Sequence, residues 1–230
     1  AARLREAPAG ELGLHLKALA ESGPRSLAAL DTVLEAMWQA LHPAERATLM
    51  MVAIGGGDVL AAMLDPSGIV DSALAARLAE LYRAGWLGTR RGEGRVELHA
   101  IVRDFVLLQV QPADHQAFAM LLRAHAERLW KLPLSNDPRI TSELASLAPQ
   151  LAIASALGDR TLDPLPGDAG QASPIDPDTR ALLTLALGRH YLLSGPRERT
   201  VAMADRLSAL VPEVAAERQR SLHGMRSWLL

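Results

Sequence analysis

The 230-residue chain is 49% apolar but carries only four Trp, two Tyr and two Phe against a heavy load of Ala and Leu, a balance that suits packed helices and excludes a β-sandwich or a mainly disordered chain. Its net charge of −2 supplies no global basic field for nucleic acid or an anionic membrane surface. The absence of cysteine excludes disulfides, thiol catalysis and Cys-ligated zinc and fits a reducing cytoplasm, and no apolar run approaches the ~20 residues of a membrane helix.

The sequence opens at AARLREAP, without an initiator Met or a signal-like segment, and stops at SWLL inside a helical pattern, so both ends read as cuts in a longer protein. Residues 10–21 place Leu12, Leu14, Leu16 and Leu19 on a broad helical face. Over 26–41, Leu27, Leu30, Val33, Leu34, Met37, Trp38 and Leu41 recur at helical steps, with Ser26 as the expected N-cap. His42-Pro43 ends that run, and Pro43 suits the first turn of a helix over 43–53. Gly55-Gly56-Gly57 breaks it, a short helix is expected over 58–64, and Asp65-Pro66-Ser67-Gly68 marks a turn. Residues 71–84 form an amphipathic helix with Asp71 as cap and Gly85 just past its end. Trp86–Arg91 and Arg95–Leu98 flank Gly92-Glu93-Gly94 and read as a tight β-hairpin, after which helix resumes at 100–110. Three helices followed by a two-stranded hairpin is the order of a winged helix.

The pattern changes after Pro112. Helical periods cover 113–132 and 142–157, and a Pro- and Asp-rich loop or linker is expected over 158–179. Three more helices follow at 178–194, 196–211 and 213–230. Leu187-Gly188, Tyr191 and Pro212 stand where a tetratricopeptide unit keeps its Leu-Gly, Tyr and terminal Pro, while its early Ala falls at Thr200, Val201 or Ala202. An irregular array of helix pairs accommodates all of this.

Self-contained catalysis finds no support. The glycines at 55–57 lack a following Lys and a preceding buried strand, so they read as a helix breaker rather than a phosphate cradle. No two histidines lie three or four apart, which leaves helical zinc without a ligand pair. No Ser sits in a G-x-S-x-G turn, and the carboxylates are scattered over helix faces. A DNA-reading role is also poorly served. The candidate recognition helix carries Asp71, Arg77, Glu80 and Arg83, which cancel, and the wing sets Arg90, Arg91 and Arg95 against Glu93 and Glu97; a DNA module concentrates basic charge.

The order of AARLREAPAGELGLHLKAL, SLAALDTVLEAMWQALHPAERATLMMVAIGGG, LAARLAELYRAGWL, a hairpin and LHAIVRDF resembles the carboxyl-terminal part of the ATPase module in STAND signalling proteins of the NB-ARC type, over about residues 1–110. The two most specific stretches are MWQALHPAERATLMMVAIGGG and RVELHAIVRDF. In the second, Leu98, His99 and Ala100 occupy the family's Met-His-Asp positions: the histidine is kept and the Asp is replaced. On its residues alone, His99 reads as a helix N-terminal residue that packs or hydrogen-bonds locally. The resemblance implies instead that it senses nucleotide, reaching the β-phosphate of ADP held by an upstream P-loop domain of the same chain and locking a closed state that ATP releases.

The expected fold is therefore mainly α: residues 1–25 end a small helical domain, 26–111 form a winged-helix domain with a small β-hairpin, and 112–230 form a tetratricopeptide-like helical array. The resemblance further implies ADP or ATP with Mg in the intact parent but none bound by this part alone, and self-oligomerisation on activation; the helical array itself points to a protein or peptide trigger, and composition and spacing to a cytoplasmic location with no metal site, membrane contact or DNA contact of its own. A DNA-binding winged-helix regulator and a tetratricopeptide-type adaptor without a nucleotide switch are the alternatives. Trp38 and Trp86 are expected to anchor the core, and Arg103 and Asp104 to form a solvated or interdomain ion pair.

Overall fold

The computed structural model describes residues 24–89, 94–131, 138–159 and 175–214, together with 216, 219 and 223. Among these the chain is mainly helical, with one small antiparallel sheet. It divides into two units, Ala1–Asp114 and His115–Leu230. Among the described residues no helix is long and apolar enough to cross a membrane.

The first unit begins with α1 (Pro24–Gln39) and α2 (Pro43–Ile54). Ser26, expected to cap α1, lies inside its first turn; the helix starts two residues earlier at Pro24, whose fixed φ and missing N–H suit that position. The expected break at residue 25 thus falls within α1, and residues 1–23 lie outside the described part. α2 ends at three glycines. Gly55 closes the helix by donating to the Met51 carbonyl (3.0 Å), and Gly56 and Gly57 take φ of 97° and 86°, a region where Cβ atoms clash.

The short helix expected over 58–64 is corrected. Residues Asp58–Leu60 form strand β1, and only Ala61–Leu64 coil, as one 3-10 turn. Helical nucleation is costly for so short a segment, whereas an open strand edge rewards each residue paired to it. After the Gly68 turn comes α3 (Ser72–Arg83), which Asp71 caps by accepting from the Leu74 N–H (2.7 Å) and which Gly85 terminates at φ 79°. The hairpin is shorter than expected: β2 is Gly88–Thr89 and β3 is Arg95–Glu97. Trp86 and Leu87 donate to the Leu81 carbonyl at the end of α3 rather than to a strand. Residues 90–93 lie outside the described part. Strand order is β1-β3-β2, with Val59 opposite Val96 and Leu60 opposite Arg95. Helix α4 (Ala100–Gln109) then packs on α2.

Leu34, Leu49, Val52, Val59, Leu81, Val96 and Val106 fill the interior of this unit. Three rings sit among them. Trp38 meets Trp86 and Phe105 edge-on, each at 6.1 Å between centroids, as expected of core anchors. Such contacts add about 0.5–1.5 kcal/mol per pair to the burial of the rings.

Helix α5 (Pro112–Lys131) opens at the end of the first unit and belongs to the second from His115 onward. The second unit continues with α6 (Pro138–Asp159), α7 (Pro177–Ser194) and α8 (Arg197–Leu210), followed by a 3-10 turn at Val211–Glu213. The expected loop at 158–179 is trimmed at both ends, because Gly158-Asp159 finish α6 and Pro177–Thr179 begin α7; residues 160–174 lie outside the described part. Most of the expected helix 213–230 does too; Glu213 ends the 3-10 turn, and Ala216, Gln219 and His223 are helical as expected. α7 packs against both α6 and α8. Ala181 and Leu185 of α7 interlock with Ala204 and Leu207 of α8, with Val211 and Val214 closing the seam; the small residues let the helix backbones approach.

Candidate functional site around His99

The joint between β3 and α4 is built by the triple-glycine turn. The Gly57 N–H donates to the Val52 carbonyl (2.8 Å), and its own carbonyl accepts from the Leu98 N–H (2.7 Å). One residue on, Asp58 accepts from the Arg95 guanidinium (2.8 Å), and its backbone carbonyl accepts a second guanidinium N–H (3.1 Å). The turn therefore holds β3 at two successive points just before His99.

His99 has extended backbone geometry and is the N-cap of α4. Its Nδ1 accepts from the Ile101 N–H at 3.4 Å, and its carbonyl accepts from the Arg103 N–H at 2.9 Å. The side chain is exposed, as is that of Ala100. A ring nitrogen that accepts carries no proton, so in the neutral capping tautomer Nε2 bears the N–H and is a hydrogen-bond donor. The local cap and an outward donor are thus compatible in one side chain. Arg103 lies one helical turn on; its guanidinium pairs with Asp104 at 2.9 Å, a partly solvated pair as expected. The floor of the joint is apolar: Leu98, Val102 and Phe105 are buried beneath it.

A second histidine has the same geometry and was not singled out by sequence. His42 caps α2, its Nδ1 accepting from the Ala44 N–H at 3.4 Å while the Glu45 carboxylate accepts from the His42 N–H at 2.7 Å. This is a capping box with imidazole in place of a hydroxyl, and its signal was the spacing His42-Pro43-Ala44-Glu45. Arg46 adds a clasp on the preceding helix: it donates to the Trp38 and Gln39 carbonyls (3.0 and 2.9 Å) and stacks over the Trp38 ring at 5.7 Å.

The described arginines weighed for DNA reading are engaged within the unit. Arg77 donates to the Thr48 hydroxyl (3.3 Å), Arg83 pairs with Glu80, and Arg95 is held by Asp58. Arg90 and Arg91 lie outside the described residues.

In the second unit, Leu187 and Gly188 are buried in α7, and Tyr191 is partly buried beneath the Arg199 guanidinium at 5.4 Å. Asp176 caps α7: it accepts from the Thr179 N–H (2.9 Å) and hydroxyl (2.6 Å), and that hydroxyl accepts from Arg123 of α5 (2.8 Å). Burial pushes the Asp176 carboxyl up, but the Thr179 hydrogen bonds and the Arg123 charge together outweigh it and hold the group below its usual value. Burial lowers His190 and Arg189. Among the described residues, no group of three or more His, Asp or Glu is placed to hold a metal ion.

No family model, curated protein or solved structure matches this chain.

Proposed function

We propose that the first unit contains a winged-helix domain that serves as a nucleotide-dependent autoinhibitory latch in a STAND-type signalling ATPase, and that the second unit begins a tetratricopeptide-like scaffold for a protein or peptide trigger. The observation that carries this reading is His99: an exposed imidazole, fixed by its own cap at the head of α4, with Nε2–H left as the outward donor. A phosphate oxygen is a strong acceptor for such a group. A contact made in only one arrangement of domains lets nucleotide state bias a two-state equilibrium.

Strand order supports the winged-helix reading. A single short strand ahead of α3 pairs with the second strand of the hairpin, giving β1-β3-β2, which is the strand arrangement of winged helices. The engaged arginines favour a role other than DNA reading. The α7–α8 pair supports the scaffold, with Leu187-Gly188 buried, Tyr191 partly buried and only Gly195-Pro196 between the helices. Phosphates, Mg and the P-loop belong to the upstream part of the parent, and this chain contributes the donor. The location is cytoplasmic, and activation ends in self-association.

The test uses the intact parent. His99→Asn preserves an N-cap and removes the imidazole donor; His99→Ala removes both. Both variants are expected to shift the bound nucleotide away from ADP and towards the oligomeric active form. Unchanged nucleotide content and oligomer size in both sinks the latch. So does the lack of a P-loop within about 150–200 residues upstream, roughly one domain length.

A further inference from the structure

We infer that Gly57 is the positioning residue of His99, acting through its carbonyl and through the stem of Arg103; this rests on the reading of His99 as the exposed donor of the site. The triple glycine ends α2, but ending a helix needs one glycine. The third does something further. Its φ of 86° turns its carbonyl onto the N–H of Leu98 at 2.7 Å, the residue immediately before His99. On its other side the Arg103 stem crosses the space a side chain would occupy: a Cβ at position 57 meets Arg103 Cδ at 2.8 Å and Cγ at 3.5 Å. Arg103 is in turn tied to His99, whose carbonyl accepts its N–H at 2.9 Å. Gly57 thus touches the chain on both sides of His99, one residue before it and one helical turn after it.

The consequence is directional. In the neutral ring, His99 donates outward from Nε2 while Nδ1 faces the Ile101 N–H, since that bond selects the tautomer with hydrogen on Nε2. A side chain at 57 forces Arg103 aside and makes a strained left-handed backbone of the turn. Either change moves the peptide that aims the ring. Glycine at 57 is therefore required by a close approach and a positive φ together, and the feature it fixes is the orientation of His99.

The experiment is nitrogen NMR on the 230-residue chain, reading the His99 ring nitrogens and the Ile101 amide. Gly57→Ala is expected to move the Ile101 amide resonance upfield and to shift the His99 Nδ1 resonance from its acceptor position towards the average of the two tautomers. If that variant does not fold, Arg103→Ala and Arg103→Met replace it. Removal of the stem in R103A reproduces the shifts, and R103M, which keeps an unbranched stem without the charge, retains the native resonances. His99 and Ile101 resonances that stay native in G57A, or in R103A where G57A is unfolded, overturn the inference even if stability falls. Failure of the latch reads out separately, as unchanged nucleotide content in His99→Asn with these resonance shifts intact.

Discussion

The two units solve the problem of a buried interior in opposite ways. Of the eight buried polar or charged residues among the described ones, the first unit holds only Thr48, and the second holds His125, Gln150, Thr179, Arg180, Thr184, Arg189 and Thr200. The first unit keeps most of its polar chemistry at element ends, in the Asp71, His42 and His99 caps and the Arg46 clasp, and fills its middle with three rings and branched aliphatics. The second runs polar groups through the middle of its helices. A dry core with polar joints responds to loss of volume. A core threaded with hydrogen bonds and titratable groups responds to loss of a partner and to pH.

The largest effect tests the dry core. Trp38→Ala removes the ring shared by Trp86, Phe105 and Arg46 and is expected to cost about 3–5 kcal/mol, the usual range for deleting a buried aromatic. Chemical denaturation followed by fluorescence checks it, and a loss below about 1 kcal/mol, the scale of a surface substitution, breaks the description of that core. Next comes Thr179→Val in the second unit, which preserves volume but strips the Asp176 and Arg123 partners from a fully buried hydroxyl. The expected cost is about 1–3 kcal/mol, the penalty for stranding buried polar groups. A neutral result puts the second core on the same footing as the first. Arg46→Lys follows, at about 1 kcal/mol, because an ammonium does not reproduce the two-carbonyl fork or the stacking.

What the sequence revealed follows the same division between local and distant causes. The Asp71 cap, Pro43 at a helix start, Gly85 at a helix end and the break at Gly55–Gly57 were all legible, because each depends on the backbone demands of one or two residues. β1 was not. Asp58–Leu60 has no strand signature of its own, and its conformation comes from the edge of β3, 35 to 39 residues further on. Ser26 misled because a preferred cap residue lost to a proline two positions earlier. His99 was legible as a joint and as a local hydrogen-bonding residue. Its link to Gly57 was hidden, since the contact passes through the Arg103 stem and depends on how α2 and α4 pack. In the second unit the helices could be read from period alone, but Arg189 inside α7 could not: a cationic residue at that point of a helix gives no sign of being buried.

Acid sharpens the contrast further. Burial lowers His190 from its ordinary value near 6.5, so between that value and its lowered folded value the unfolded chain binds a proton that the folded unit does not. Stability then falls as pH drops through this window, and it is fully present above it. Asp176 works in a lower window with the carboxylate sign: its stabilisation is complete above the unfolded value near 3.9 and is lost as pH falls through its lowered folded value. Denaturation midpoints of wild type and His190→Gln between pH 7 and 5.5 are expected to converge as pH falls, with the variant showing the flatter slope. Equal slopes remove His190 as the cause.

The smallest expected effect lies at the candidate site itself. Asp104→Asn unpairs Arg103 at a solvated position, and exposed ion pairs contribute about 0–1 kcal/mol. What seats the Arg103 stem against Gly57 is packing, which the substitution leaves in place. The thermal midpoint and the His99 ring resonances are therefore both expected to stay close to wild type. A shift of the ring without a change in stability would mean that charge on Arg103, rather than the position of its stem, aims His99, and the joint would then be an electrostatic device built on an apolar floor.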